Sequence, residues 1–314
     1  MTNSTEELLK DFPLYHRTCE YLKERSFFYK NVFEQDASIP VNHQLAEEIC
    51  SDVFRMCNED WALYCQKLEN LLQINIEFLK LQAKLEKTGQ YLYSSFAEVE
   101  KEVFQKQRED GMVGVEYLWG VIFSHIFWVT HHRLFNFFLD EFASGINSEG
   151  ICLEAPTGSG IFLSQFLRKN PDWSGVSVDL GETSLASAKR FHTLDGLTGK
   201  VECVQQDIYQ FTHEKQFDRI ICIEFIEHVE DPVGIYRKLR SLLKADGKIF
   251  LTTVAWAAFI DHIYLYRNAE EIRAHIRESG LKIQQEYLQN VFPKDEGNLE
   301  GDRVALSYSA ILTL

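Results

Sequence analysis

The sequence has 314 residues, 45% of them hydrophobic, and a formal net charge of -15 from 32 basic and 47 acidic side chains. This length is enough for one large or two ordinary domains with a real core. The negative charge argues against nucleic acid as a partner, because no run of lysine or arginine offers a basic patch for a phosphate backbone.

The sequence shows no sign of a membrane span or a secretory signal. The most apolar stretch, 117–139, is interrupted by histidines and an arginine, and the acidic start MTNSTEELLKDF has no apolar core. Seven scattered cysteines form no CxxC pair, which favours reduced thiols used in packing. We therefore expect a cytoplasmic protein with no membrane partner.

Residues 1–146 are predicted to form a helical domain, because apolar residues recur at spacings of three and four and glycine is rare. One buried face of a helix over 61–85 is predicted to contain Leu63, Leu68, Leu71, Leu72, Ile76, Leu79 and Leu85. The stretch 117–142 is apolar nearly all round, which favours a helix buried on several sides or in an oligomer interface. Three histidines on it are typical of packing, although one would contact substrate if this helix covers an acceptor pocket: His125, His131 and His132. We expect this domain to cap an active site, to form a homodimer, or both.

After the joint ASGINSEG, short apolar runs alternate with helical segments. Strands are predicted at 150–155, 174–180, 200–207, 217–224 and 247–254, and a closing antiparallel pair at 282–292 and 303–314. Continuous apolar strands separated by helices indicate an α/β fold with a doubly wound, mostly parallel sheet of seven strands. The order of elements resembles the Rossmann-like class I S-adenosylmethionine-dependent methyltransferases over about 150–314, which implies a catalytic domain at 147–314.

The turn LEAPTGSG follows the first strand and opens a helix. Gly158 and Gly160 permit a tight turn that brings backbone N–H groups close to a ligand. The turn is similar to the methyltransferase pattern E-x-G-x-G-x-G, with Glu154 as the acid and Pro156 at the first glycine, where proline offers no donor. The resemblance implies that these four residues contact the cofactor. A nicotinamide cofactor is the competitor, but the G-x-G-x-x-G spacing is absent.

Acids also follow the next three strands, where ligands bind in open α/β sheets. Asp179, beside Leu180, lies about twenty residues beyond the glycine turn, and an acid there can accept both ribose hydroxyls of a nucleoside. By resemblance, Asp207 accepts from the adenine amino group and Ile208 packs on the ring. Glu224 follows the fourth strand and is expected beside the sulfonium. Together these residues predict an S-adenosylmethionine site.

The segment IEFIEHVEDP resembles the E-x-x-E-H segment of ubiquinone-pathway O-methyltransferases and of small-RNA 2′-O-methyltransferases. In those families two glutamates, the histidine and a second histidine beyond the fifth strand bind a divalent metal. The resemblance implies that Mg²⁺, Mn²⁺ or Zn²⁺ binds to Glu224, Glu227, His228 and His262. His228 and Glu227 are also the candidate catalytic residues, because without metal the histidine would line the acceptor pocket or act as general base. Asp261 is a candidate to orient the ring of His262 or is simply a loop acid.

The predicted function is metal-assisted O-methylation of a small molecule in specialised metabolism. The alternatives are C-methylation of a metal-chelated 2-oxo acid, N-methylation without metal, and a methyltransferase-like scaffold that catalyses nothing. A small-RNA acceptor is disfavoured by the charge of -15.

Overall fold

The computed structural model describes residues 11–35, 42–106, 115–146 and 148–314. They divide into two compact units. The first comprises Met1–Ile74 and Trp119–Asn136, and the second comprises Asn75–Leu118 and Phe137–Leu314. This division differs from the predicted boundary at 146/147, because residues 75–118 and 137–146 belong to the unit that contains the sheet, and residue 147 lies outside the described residues. The assignment of a cap and a catalytic domain stays a prediction.

The N-terminal half is helical, as predicted. Its helices are α1 Pro13–Arg25, α2 Phe27–Gln35, α3 His43–Met56, α4 Trp61–Thr88, α5 Phe96–Val99, α6 Val115–Phe127 and α7 Val129–Phe137, with π-helical turns at Glu100–Gln105 and Phe138–Phe142. The start of α3 is capped by Asn42, whose side chain accepts from the N–H of Leu45 at 3.1 Å. The apolar stretch 117–142 is therefore not one helix: it is interrupted at Trp128 and ends in a π-helical turn.

The predicted apolar face of α4 was wrong at two positions. Leu71 and Leu85 are buried, whereas Ile76 is 55% exposed and Leu79 is 56% exposed. The buried stripe includes Gln82, which is 3% exposed. Ile76 lies nine positions before Leu85, which is about half a turn around the helix axis at roughly 100° per residue. Counting apolar residues along the helix therefore overestimated the width of its buried face.

Two of the histidines in the first unit are held by hydrogen bonds that fit a packing role. The backbone N–H of Asn42 donates to Nε2 of His132 at 2.8 Å, so Nδ1 carries the proton and donates to the carbonyl of His125 at 2.9 Å. His131 Nδ1 pairs with the hydroxyl of Ser124 at 2.7 Å, and burial lowers the pKa of His131 to about 4. These rings are therefore neutral and part of the helical core.

The second unit contains a seven-stranded sheet, as predicted. Its strands are β1 Ile151–Glu154, β2 Ser174–Asp179, β3 Val201–Gln205, β4 Phe217–Cys222, β5 Leu243–Ala255, β6 Lys282–Asn290 and β7 Leu306–Thr313. They are ordered β3-β2-β1-β4-β5-β7-β6. The first five strands pair in parallel, and β7 is antiparallel to both β5 and β6.

Helices connect the strands: α8 Ile161–Lys169, α9 Glu182–Leu194, α10 Pro232–Leu242 and α11 Ala269–Glu278. The strand order reverses between β1 and β4, so right-handed crossovers place α8 and α9 on one face and α10 on the other. The central strands are consequently buried on both faces, which explains their continuous apolar runs. The reversal also opens a crevice beyond the carboxyl ends of β1 and β4, where ligands bind in such sheets.

No helix within the described ranges is long and apolar enough to cross a bilayer.

Candidate functional site

The glycine turn joins β1 to α8, and Glu154 determines its shape. This carboxylate is 2% exposed, and its two oxygens accept from the Thr157 hydroxyl at 2.6 Å and from the Leu163 N–H at 3.2 Å. Burial raises the pKa of Glu154 to about 8. Pro156 follows a cis peptide bond and is half-buried. Both oxygens of Glu154 are engaged by Thr157 and Leu163, so this carboxyl group holds the turn against α8. Its predicted contact with the cofactor stays a prediction.

The two glycines of this turn have different surroundings, which leads to a prediction. Both have positive φ, 50° at Gly158 and 82° at Gly160. A Cβ at Gly160 would lie 2.5 Å from Cα of Ala188, whereas a Cβ at Gly158 would meet nothing within 4 Å. We expect Gly158→Ala to lower the free energy of unfolding by about 1–2 kcal/mol through backbone strain alone. We expect Gly160→Ala to lower the free energy of unfolding by about 1–3 kcal/mol more than Gly158→Ala, because the added Cβ overpacks against α9.

Urea denaturation of both variants beside the wild type measures this difference. Equal losses for the two variants would contradict the close approach of the turn to α9.

Asp179 connects the first two strand ends. One oxygen accepts from the N–H of Gly158 at 3.0 Å, and the other accepts from the N–H of Gly181 at 2.8 Å. Burial raises the pKa of this carboxyl, although these backbone donors oppose the shift. The bidentate contact to a ribose stays a prediction from the sequence. Leu180 follows and is 56% exposed.

Asp207 lies two residues beyond β3. One of its oxygens accepts from the backbone N–H of Tyr209 at 2.9 Å, which fixes the loop in a tight turn. Ile208 is buried in the core of the second unit, and the neighbouring Tyr209 is 43% exposed. Asp179 is thus the last residue of β2 and Asp207 lies two residues after β3, so both are at the carboxyl ends of adjacent parallel strands.

The backbone is strained where β4 and β5 end. Glu224 has φ of 44° and Trp256 has φ of 51°, a region that favours glycine. Such strain in non-glycine residues concentrates at functional sites. The N–H of Glu224 donates to the Thr252 hydroxyl at 2.9 Å, and the Thr253 hydroxyl donates to Oε2 of Glu227 at 2.7 Å. Two threonines of β5 therefore position the acidic segment that follows β4.

Glu227 and His228 belong to a short 3-10 turn, Ile226–His228, and not to the following helix. The carbonyl of Glu227 accepts from the N–H groups of Ile263 and Tyr264 at 2.8 and 2.9 Å. These bonds tie the turn to the segment that contains His262. The following helix, α10, begins at Pro232, where the side chain of Asp231 caps it.

Both imidazoles present the same nitrogen to the site. Nδ1 of His228 contacts the carbonyl of Asp261 at 3.1 Å, and Nδ1 of His262 contacts the carbonyl of Ala257 at 3.0 Å. A carbonyl only accepts, so Nδ1 carries the proton in each neutral ring and Nε2 keeps its lone pair. The backbone carbonyl of Asp261 therefore orients His228, whereas the sequence suggested Asp261 either as a partner of His262 or as a simple loop acid. The two rings are perpendicular, with centroids 4.9 Å apart.

One ligand atom each from Glu227, His228 and His262 lies within 4.8 Å of the other two. Glu224 is the fourth predicted metal ligand. In the observed conformation of its side chain, it does not belong to this group. Oε1 of Glu227 is buried without a hydrogen-bond partner among the described residues, as is Oε1 of Glu224. A buried carboxylate oxygen left without a donor suits a cation.

Electrostatics at this site follow from burial of like charges. Burial raises the pKa of Glu227 well above its usual range, and the neighbouring Glu224 raises it further. The pKa of Glu224 is raised in the same way by burial. Burial and the nearby His228 lower the pKa of His262 well below its usual range. Burial thus disfavours the charged forms of His262 and of both acids, and a bound cation would stabilise the acids in the ionised form.

Sequence reasoning missed the residues that surround this group. The ring of Tyr91 packs edge-on against that of His262, with ring centroids 5.4 Å apart. The ring centroids of Tyr117 and Phe259 are 5.5 Å apart. Tyr266, in the segment that follows His262, is fully buried in the core of the unit and hydrogen-bonds to His275.

The comparisons with known proteins agree with this architecture. Residues 153–249 match the family described as a methyltransferase domain. The chain is 28% identical over 166 residues to a ubiquinone biosynthesis O-methyltransferase of Acinetobacter baylyi, covering 46% of this chain and 68% of that protein. It is 30% identical over 118 residues to the protein of the same name from Acinetobacter baumannii, covering 37% of this chain and 48% of the relative.

A solved O-methyltransferase from neocarzinostatin biosynthesis aligns with a TM-score of 0.49 at 15% identity, covering 77% of this chain and 69% of that one. The sequence match spans β1 to β5, the strands whose carboxyl ends carry the glycine turn and the acids described above. Residues 153–249 of this chain are therefore a methyltransferase domain.

Proposed function

We propose that the protein transfers the methyl group of S-adenosylmethionine to an oxygen of a small-molecule acceptor held at a divalent metal. The observation that carries this proposal is the group formed by Glu227, His228 and His262, whose ligand atoms lie within 4.8 Å of one another. The names of the Acinetobacter relatives support O-methylation. The strand-end acids support the cofactor.

The donor set fits a divalent cation. It offers one buried carboxylate oxygen without a hydrogen-bond partner in the described chain and two Nε2 lone pairs fixed by carbonyls on Nδ1. Glu227, His228 and His262 would hold Mg²⁺, Mn²⁺ or Zn²⁺, and Glu224 would join if its side chain turned toward them. When bound, such an ion lowers the pKa of an acceptor hydroxyl and orients neighbouring oxygens.

The cofactor would be held by residues beyond the first three strands. The Gly158–Gly160 turn offers backbone N–H groups and, at Gly158, open space for close approach. Asp179 and Asp207 offer carboxylate oxygens to nucleoside hydroxyl and amino groups, and Leu180 and Ile208 offer apolar surface. S-adenosylmethionine supplies an electrophilic methyl group for in-line displacement.

The chain's own residues then orient the acceptor and accept its proton. Nε2 of His228 lies 4.0 Å from Oε1 of Glu227, so in the neutral ring with Nδ1 protonated it offers a base to an acceptor hydroxyl placed there when no metal is bound. Tyr91, Tyr117 and Phe259 form apolar walls that limit the access of water. In-line transfer depends mostly on such positioning.

Two other reactions remain alternatives with the same donors. A 2-oxo acid chelated by the metal would be methylated on the acidified carbon beside its carbonyl. An amine would be methylated without metal, with His228 as base. The relatives' names favour oxygen. We also propose, from the sequence, specialised metabolism as the setting and the N-terminal helices as a homodimer interface.

Calorimetric titration with S-adenosylmethionine, metal analysis of the purified protein and a radiolabelled methyl donor test the proposal together. We expect cofactor binding, about one divalent ion per chain and label on oxygen of a catechol-type acceptor. The absence of cofactor affinity would reduce the protein to a scaffold, and label on carbon or nitrogen would select one of the alternatives.

A further inference from the structure

A buried amide from α4 pairs with the loop that follows β5. Gln82 is 3% exposed. Its Nε2 donates to the carbonyl of Trp256 at 3.0 Å, and its Oε1 accepts from the N–H of Ala258 at 3.0 Å. The amide of Gln82 thus makes two hydrogen bonds to the loop backbone, one as donor and one as acceptor, like those that a neighbouring strand would make.

The peptide between these two contacts is held by a second side chain. The hydroxyl of Tyr91 donates to the carbonyl of Ala257 at 2.7 Å. The same carbonyl accepts from Nδ1 of His262 at 3.0 Å. Three consecutive residues, 256–258, are therefore fixed by Gln82 and Tyr91, starting at Trp256 with its strained φ of 51°.

We propose that Gln82 and Tyr91 are positioning residues for His262. They hold the carbonyl of Ala257 where it selects the Nδ1–H tautomer of His262 and directs Nε2 toward Glu227 and His228. This inference rests on the proposed function, since it assigns these two residues to the proposed metal site. Neither residue touches the metal or the reacting atoms.

Simple packing of α4 against the loop makes a different prediction. Packing alone would affect the stability of the unit and leave the tautomer and ligand affinity of His262 unchanged once the protein is folded. Positioning would change both the tautomer and the ligand affinity of His262, even at temperatures where the variant is fully folded. Partners that orient a ligating histidine typically change metal affinity by about 10- to 100-fold when they are removed.

The test uses the full chain with Tyr91→Phe and Gln82→Met, which remove the hydrogen bonds and nearly keep the volume. Tyr93→Phe is the matched control for the first, because the Tyr93 hydroxyl has no hydrogen bond among the described residues. Gln73→Met, at an exposed position of the same helix, is the control for the second. Circular dichroism melting establishes that each variant is folded at the temperature of measurement.

Two readouts follow: ring-nitrogen NMR spectra of ¹⁵N-histidine-labelled apoprotein, and calorimetric titration with Mn²⁺. We expect His262 as the Nδ1–H tautomer in the wild type and both controls, and a mixture of tautomers in both variants. Mn²⁺ affinity should fall about tenfold or more in the variants. It should change less than about twofold in the controls, which remove no contact to the loop.

Folded variants with the wild-type tautomer and wild-type Mn²⁺ affinity would overturn the inference. If the wild type itself binds no Mn²⁺, the proposed metal fails, and the NMR spectra alone then decide whether the two residues position the ring. If Gln82→Met does not fold, Tyr91→Phe, which removes only the hydroxyl group, decides whether the inference holds.

Discussion

Replacing His228 with alanine is expected to lower the rate of methyl transfer by about a thousandfold, within the roughly 10²–10⁴-fold range of a lost proton acceptor. The variant loses the Nε2 lone pair that lies 4.0 Å from Oε1 of Glu227. The protein should fold normally because His228 is half-buried and its ring makes one hydrogen bond to the described residues, with the carbonyl of Asp261. Single-turnover kinetics with labelled cofactor, at saturating cofactor and Mn²⁺, measure the effect.

The same variant distinguishes a metal ligand from a general base. A ligand role predicts weaker Mn²⁺ binding in calorimetry and partial recovery of the rate with excess metal. A base role predicts unchanged Mn²⁺ affinity and recovery at alkaline pH, where the acceptor ionises without help. His213→Gln is the control. His213 precedes β4 and so lies near the amino ends of the parallel strands, whereas His228 follows the carboxyl end of β4. A wild-type rate for His228→Ala would exclude both roles.

Replacing Asp179 with alanine is expected to weaken S-adenosylmethionine binding by about 100-fold. The carboxylate would otherwise accept two ribose hydroxyls, and hydrogen bonds to a charged group contribute about 1.5–3 kcal/mol each. The change also removes the acceptors for the N–H groups of Gly158 and Gly181, so the glycine turn should loosen. Both effects act in the same direction, and titration calorimetry measures the total.

Asp172→Ala provides the matched control for this loss of charge. Asp172 is exposed and precedes β2, so it is near the amino ends of the parallel strands, away from the cofactor edge. The Asp172→Ala variant should bind S-adenosylmethionine with the affinity of the wild type. Equal affinities for Asp179→Ala and Asp172→Ala would mean that the carboxylate serves the turn only and does not contact the ligand.

The sequence predicts strand ends well because burial on both faces gives continuous apolar runs, and a polar residue marks where each run leaves the sheet. Asp179, Asp207 and Glu224 were found in this way. The grouping of Glu227 and His228 with His262 was also expected, although it came from resemblance to known segments. Their separation of more than thirty residues offers no local signal of contact.

The supporting residues could not be found by the same reasoning. Gln82 lies on a helix whose pattern reads as an ordinary apolar stripe, and its partners are backbone groups about 175 residues away, as the contact to Trp256 shows. Thr252 and Thr253 carried one signal, since two hydroxyls interrupt an otherwise apolar strand. In contrast, the exposure of Ile76 depends on which face of α4 is covered, a property of packing and not of composition.

The position of β7 determines when this sheet can be completed during synthesis. β7 lies between β5 and β6, although it is translated after both. Until residues 306–313 have left the ribosome, β5 exposes an unpaired apolar edge and β6 has no neighbour. The nascent chain is therefore open to aggregation and to chaperone binding from the synthesis of β5 until that of β7, and truncation within β7 would remove the centre of the sheet's antiparallel half.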